Sequence, residues 1–591
     1  MNLSHKDLNK SQQEAVDNLN GPLLIVAGAG SGKTRVLTSR LAAILASGVP
    51  EDNIIAITFT NKAANEMKNR VKNNSKKLFI GTFHSLGAGI LKKEANLANR
   101  KSNFTIFDDD DSTKLIKEII KSFNLSVKNR NINYFYLKKS FSRIKNGNCG
   151  PDEENDLIWR LFEEYEAILA KNNAFDFDDL IEKPVKIFQN NSEILEKYQN
   201  RFRYILVDEF QDTNQSQYDF IKLLAGKHKN LSVVGDDQQS IYKFRGSDFR
   251  IFLNFETDWP KTKVVMLEQN YRSSGNIIKS ASVLISKNKF QKSKSLWTEN
   301  PEGEPVKIVE HQSEDEEARF VADQISYGLR GLQLNEKNTI GILYRTNAQS
   351  RAIETALMEN GITYKIFGGV KFYERKEIKD IVAALRFAFN PRDTVSLGRL
   401  KANFLKKPFL EIKENAAQMA LSLKPVELIG YVLKTADYFE YLKKHYPNFE
   451  ERIENINELI YFATSFENLG EFLERVSLLQ SADNVKEEIG MGESKISVNL
   501  MTIHMAKGLE FDDVFIIGCN EGILPHQMSY HSEEEIEEER RLMYVAMTRA
   551  RHRLYLNFYN IPSRFLYELP PELVEFSGNK SLDDEERYIY D

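Results

Sequence analysis

The chain has 591 residues, about four times the ~150 of a typical domain, so several domains are expected. Apolar residues make up 41% and charged residues 28%, which excludes a wholly disordered chain, and no stretch approaches the ~18 consecutive apolar residues of a membrane helix. The formal charge of −5 gives no global attraction to a polyanion, so any nucleic acid would be held by a locally basic groove.

The opening MNLSHKDLNKSQQEAV has no apolar targeting core, and two cysteines, Cys149 and Cys519, cannot build a disulfide framework or a four-thiolate cluster. Both features predict a reducing, cytoplasmic setting with no membrane partner. In chain order, short apolar runs at Leu23–Val26, Ile54–Phe59, Tyr204–Val207, Leu231–Val234 and Val264–Leu267 read as buried strands, with helical stretches such as Lys33–Leu45 between them. A second set follows at Val306–Val309, Thr339–Leu343, Val498–Thr502, Val514–Ile517 and Arg553–Leu556. Strands alternating with helices predict parallel sheets, hence an α/β protein with two sheet domains in tandem.

Residues 92–185 and 387–490 break the alternation: apolar residues fall at helical spacing and strand signals are few, so each reads as a mainly helical insertion. The expected division is a first sheet domain over 1–91 and 186–264, a second over 265–386 and 491–576, and a loose acidic tail at 577–591. Glu533–Glu535 read as a solvated helix face.

The first strand runs through Ala27 into Gly28-Ala29-Gly30-Ser31-Gly32-Lys33-Thr34 and then a helix. Glycines let backbone N–H groups curl around phosphate oxygens, and a helix N-terminus adds positive potential. Lys33 would reach the β- and γ-phosphates and the Thr34 hydroxyl would bind Mg²⁺. The usual pattern opens with glycine where this chain has Ala27. Further on, the strand Tyr204–Val207 ends in Asp208 and Glu209. A strand-end pair of acids serves nucleotide hydrolysis, Asp208 holding the metal and Glu209 acting as general base. Alone such a pair is more often two surface acids; together with the glycine-rich loop it marks a P-loop nucleotide hydrolase using ATP and Mg²⁺.

A longer series of motifs, from Leu8 to about Pro570, resembles the UvrD/PcrA/Rep family of superfamily 1A DNA helicases. They are Leu8–Val16, Thr58–Ala64, Gly81–Ser85, Val234–Gly246, Leu267–Ser273, Val498–Phe511 and Glu538–Ala550. The resemblance implies two tandem RecA-like P-loop domains and a set of roles. Gln12 would read the adenine edge and Tyr271 would stack on its ring, while the loop from Ala27 to Arg35 would cradle the phosphates. Gln239 would contact the γ-phosphate and attacking water, Arg272 the γ-phosphate, and Glu510 the ribose. Arg549 would be an arginine finger from the second domain; Arg540 and Arg541 would be structural, paired with neighbouring glutamates. Phe59, Thr60, Asn61, Thr82, Phe83, His84, Tyr242, Phe244, Arg245, Thr502 and His504 would contact single-stranded DNA, with core packing the competing reading for Phe59 and Phe83.

The family usually has Trp where this chain has Phe244, and small residues where it has Met505. Relatives insert a hairpin with an aromatic pin after the last motif, whereas Arg553–Phe558 runs almost directly into Ile561–Leu566. Where relatives carry a glycine-containing duplex contact, this chain reads Lys406-Lys407-Pro408-Phe409-Leu410. The expectation is a 3′→5′ helicase or translocase acting on single strands and single-strand/duplex junctions, with repair or replication proteins as partners and strand separation weaker or partner-dependent. A translocase that strips bound proteins is the close alternative. A non-catalytic DNA-binding scaffold is a more distant one, and a helicase–nuclease subunit lacks its nuclease domain here.

Overall fold

Uninterrupted apolar strands call for cover on both faces, and the computed structural model of the chain provides it. The structure describes residues 8–71, 77–123, 134–146, 156–330, 338–368, 370–391, 393–473, 475–476 and 497–578. Cys149 and all but the first two residues of the expected tail lie outside the described residues. The chain forms two compact units, Met1–Tyr271 with Lys289–Glu299, and Arg272–Asn288 with Asn300–Asp591.

In the first unit, β1 (Leu23–Ala27), β2 (Ile54–Thr58) and β3 (Phe79–Thr82) precede a short pair, β4 (Thr105–Ile106) and β5 (Ala174–Phe175). They are followed by β6 (Tyr204–Val207), β7 (Leu231–Gly235) and β8 (Lys263–Leu267). The main sheet has the order β3-β2-β6-β7-β1-β8 with every pairing parallel. Its side chains alternate between two cores. Leu24, Val26, Ile55 and Ile57 join one apolar cluster, and Leu23, Ile25, Ala27, Ile54 and Ala56 join the other. That two-sided burial is why these strands read as continuous apolar runs. Because β8 pairs with β1, the first sheet runs past the expected boundary at 264/265, and the unit continues to Tyr271. The short pair β9 (Gln269–Asn270) and β10 (Trp297–Thr298) also belongs to it.

The second unit is built on β11 (Val306–His311), β12 (Thr339–Tyr344), β13 (Tyr364–Ile366), β14 (Ser497–Thr502), β15 (Phe511–Ile516), β16 (Ala550–Tyr559) and β17 (Val574–Ser577). Their order is β13-β14-β12-β15-β16-β11-β17, again parallel throughout. The short strands β13 and β17 carry no long apolar run and escape a reading based on such runs. Ser577, expected to begin the tail, is the last residue of β17.

Each unit adds a helical layer with its own core. In the first, the helices Asp109–Ser122, Tyr134–Lys145 and Asp156–Lys171 share one apolar cluster. Beside it, the buried Lys145 ammonium sits 2.7 Å from Asp176 and 2.8 Å from both Asp179 and Glu166. In the second, six helices between Lys376 and Ala463 pack on a cluster running from Phe372 to Val476, so the helical layer begins before residue 387. Lys406-Lys407-Pro408 forms the first turn of the helix Lys406–Met419. After β16, only Asn560 and Ile561 separate Tyr559 from Pro562, which bridges back to Asn520.

One buried charge locks the first unit's helices to its sheet. Arg40, on the helix Lys33–Ala46, donates to Ala15 O at 2.8 Å, Leu19 O at 3.1 Å and Ser232 Oγ at 2.8 Å. Burial lowers its guanidinium to about 10. Arg40→Met should lower stability by about 1–3 kcal/mol, since it strands buried carbonyls without replacing their donor. Urea unfolding checks this as a reduced midpoint at unchanged slope.

Candidate nucleotide and nucleic-acid sites

β1 delivers the chain to the glycine-rich loop at the carboxyl end of a parallel sheet, where open α/β folds bind ligands. Gly30 and Gly32 take φ of 64° and 85°, conformations that favour glycine. Four successive carbonyls are held by hydrogen bonds, three of them from outside the loop. Gly28 O accepts from Ser31 Oγ at 2.8 Å, Ala29 O from Asn270 Nδ2 at 2.7 Å, Gly30 O from Tyr271 N at 3.0 Å, and Ser31 O from Gln12 Nε2 at 3.0 Å. In a planar trans peptide the C=O and following N–H point opposite ways. The N–H groups of Ala29, Gly30 and Gly32 therefore turn away from those donors, and the helix Lys33–Ala46 begins with no side-chain cap. This arrangement suits an anion. Arg35 and Thr34 sit half-buried in its first turn. A Cβ at Gly28 would lie 2.0 Å from Leu296, so the segment Lys289–Glu299 closes in on the loop.

Lys33 Nζ lies 3.3 Å from Glu209 Oε2. Asp208, buried at the end of β6, accepts from the Glu209 N–H at 3.0 Å. Burial and the neighbouring Glu209 push its carboxyl up to about 7, against the pull of Lys33. Such a desolvated carboxylate gains from a cation, and with the Thr34 hydroxyl it supplies hard oxygen donors. No group of three metal-ligating side chains occurs among the described residues. Mg²⁺ needs none, since it keeps waters and takes one or two carboxylates plus phosphate. The donor set fits it.

Glu209 and Gln239 share one hydrogen-bonded chain. Gln211 Nε2 donates to Glu209 at 2.7 Å, Gln211 Oε1 accepts from the Asp236 N–H at 3.0 Å, and Gln239 Nε2 donates to Asp236 Oδ2 at 2.6 Å. Asp236 and Asp237 in turn receive the ammonium of Lys294, 2.9 Å from Asp237. Nearby, Asn9 caps the helix Lys10–Asp17, bonds reciprocally with Gln12, and donates to Tyr271 Oη at 2.8 Å and to Gln269 at 3.0 Å. Tyr271 is left 45% exposed, a ring face beside the loop. It thus belongs to the first unit rather than opening the second.

In the second unit, Arg272 pairs with Glu510 at 2.7 Å and donates to Thr548 O at 3.1 Å. Glu510 also pairs with Arg551. Partial burial disfavours its charge, yet the two arginines hold it below the usual carboxylate range. Arg549 is turned inward: it donates to Val545 O at 2.9 Å, Leu509 O at 3.1 Å and Thr548 Oγ1 at 3.1 Å. Arg541 pairs with Glu537, but Arg540 reaches past its neighbouring glutamates to Glu568 at 2.7 Å and to Asn288.

The DNA-contact candidates divide by exposure. Thr60 and Asn61 are exposed, and Phe59, Thr82, His84, Thr502 and His504 half-buried. Phe83 is corrected: its ring is 2% exposed inside the first unit's core, so it offers no stacking face. Phe244 is the opposite, 67% exposed, with Arg245 over its ring at 5.5 Å and over Tyr242 at 5.3 Å. Exposed Phe177 meets the His84 ring edge-on at 6.1 Å. Phe177, Asn9 and Lys294 were not singled out by sequence reasoning. Asn9 alone carried a usable signal, as a helix cap three residues before a glutamine.

The model of the UvrD/REP helicase N-terminal domain matches residues 8–260, and that of the UvrD-like helicase C-terminal domain matches 265–446 and 429–560. Curated relatives are similar across nearly the whole chain. The ATP-dependent DNA helicase PcrA of Bacillus subtilis (strain 168) is 39% identical over 645 residues, covering 97% of this chain and 87% of the relative. The protein of the same name from Staphylococcus epidermidis is 39% identical over 652 residues, with 97% and 88% covered. That of Staphylococcus aureus is 38% identical over 651 residues, with the same shares.

Exposure gives a direct test. Phe244→Ala should weaken single-stranded DNA binding by about 1–3 kcal/mol, the cost of one base–aromatic stack. Phe83→Leu should leave affinity within a factor of about two, because its ring faces the core. Fluorescence anisotropy with a labelled oligonucleotide measures both.

Proposed function

Because the chain belongs to the UvrD/REP helicase family, we propose that it is an ATP-dependent DNA helicase of DNA repair or replication, moving 3′→5′ along single-stranded DNA. The observation that carries this reading is the phosphate-shaped loop, its carbonyls bound from outside, with Lys33 set against the Asp208–Glu209 pair.

In this reading Lys33 and the loop N–H groups take the phosphates, and Thr34 and Asp208 take Mg²⁺. The metal supplies charge neutralisation on the phosphate oxygens. Glu209 accepts the proton of the attacking water, and Gln239 orients that water against the γ-phosphate. Gln12 and Tyr271 hold the base and Glu510 the ribose. Arg272 and Arg549 supply positive charge to the transferring phosphoryl group. Phosphate contacts at strand ends and stacking on Phe244 and Tyr242 grip a single strand without reading its sequence.

A second reading, a translocase with little unwinding, is favoured by the turn at Asn560–Ile561, which leaves no length for a fork-splitting hairpin. Unwinding of duplexes with 3′ or 5′ single-stranded tails, with ATP turnover followed in the same samples, separates the two. Opening of the 3′-tailed duplex alone supports the helicase; turnover stimulated by single strands with no opening supports the translocase; opening from the 5′ tail alone overturns the polarity.

Lys33→Ala and Glu209→Gln should each abolish ATP hydrolysis while single-stranded DNA binding persists. Unchanged turnover in either variant would overturn the assignment. Arg549→Ala should cut kcat by about 10³-fold or more, in the range of an arginine finger, with a far smaller change in nucleotide affinity; steady-state kinetics and nucleotide titration read the two effects.

A further inference from the structure

Lys294 sits in a lysine-rich stretch, Lys287 to Lys294, that reads as solvated surface. Its side chain is instead 1% exposed, between two carboxylates that are themselves fully buried. Asp237 Oδ1 lies 2.9 Å from the ammonium, and Asp236 Oδ1 receives it too. The other oxygen of Asp236 accepts the Gln239 side-chain amide at 2.6 Å. The stretch is pinned to the same motif by its backbone: Lys292 N donates to Asp237 Oδ2 at 2.8 Å, and Gln291 accepts from Gln238 Nε2 at 2.6 Å.

Two buried carboxylates side by side repel each other unless a cation lies between them, and without that cation Asp236 would not be held where it accepts from Gln239. We infer that Lys294 is a positioning residue for hydrolysis: it neutralises the Asp236–Asp237 pair and thereby fixes the Gln239 amide in the orientation that meets the γ-phosphate and water. The inference rests on the role proposed for Gln239 and adds a residue outside every motif that carries the family resemblance. The flanking carboxylates hold the Lys294 ammonium above its usual range despite burial, in keeping with a permanent charge.

The test compares Lys294→Gln, Gln239→Ala and the double variant in the full chain. Lys294→Gln keeps a hydrogen-bond donor of similar length but removes the charge; Lys294→Met is the second variant should the first fail to fold. The expected result is a kcat lowered about tenfold or more, the scale of one charge-assisted hydrogen bond, with KM for ATP and single-stranded DNA affinity within about threefold. The double variant should be no slower than Gln239→Ala alone, because one residue acts through the other. Unchanged kcat in folded Lys294 variants, a loss carried by KM, or multiplying penalties in the double variant would each overturn the inference. Unchanged kcat in Gln239→Ala would instead remove the role assigned to Gln239, a failure of the underlying reading that this comparison reveals on its own.

Discussion

A row of backbone carbonyls gripped from outside is the constraint on which the first unit's chemistry rests. A glycine-rich loop has many conformations, and glycines alone select none of them. Here the selection comes from Gln12, Asn270, the Tyr271 N–H and the loop's own Ser31. Peptide planarity converts that external grip into an inward display of N–H groups. Asn9 extends the grip by holding both Gln12 and Tyr271. Gln12 and Tyr271, which the resemblance assigns to the base, thus also shape the glycine-rich loop, so under the proposed roles base and phosphate recognition would share one set of hydrogen bonds.

Several charged groups near the sites follow a common rule: each is already paired with an opposite charge. Lys33 rests on Glu209, Lys294 on two aspartates, and Arg272 on Glu510. Arg549 donates to carbonyl and hydroxyl oxygens of its own unit. A phosphate reaching Lys33 or Arg272 would therefore compete with an existing partner. Exchange of one partner for another keeps the net gain per contact modest, which suits a site that must release its product on every cycle.

Much of this was legible in the residues, for identifiable reasons. Strands buried on both faces announce themselves as apolar runs, and the loop and acid pair announce themselves by residue type at strand ends. Exposure did not announce itself: Phe83 and Phe244 each follow a strand within a recognisable motif, yet one faces the core and the other solvent. The edge strands β13 and β17 were too short and too mixed in composition to see. Lys294 was hidden because its partners lie more than fifty residues earlier, and a lysine-rich run resembles any solvated surface. That the first compact unit continues past residue 264 follows from β8, which completes the first sheet from the far side of β1.

Glu209 occupies the left-handed region at φ 51°. A residue with a Cβ costs of order 1 kcal/mol there relative to glycine. Glycine would relax the turn and asparagine would tolerate it, but neither offers a carboxylate to a water molecule. With Glu209 as the proposed general base, sturdiness and turnover pull this codon in opposite directions. A library of this gene screened only for heat resistance would drift, at position 209, toward well-folded proteins that no longer run.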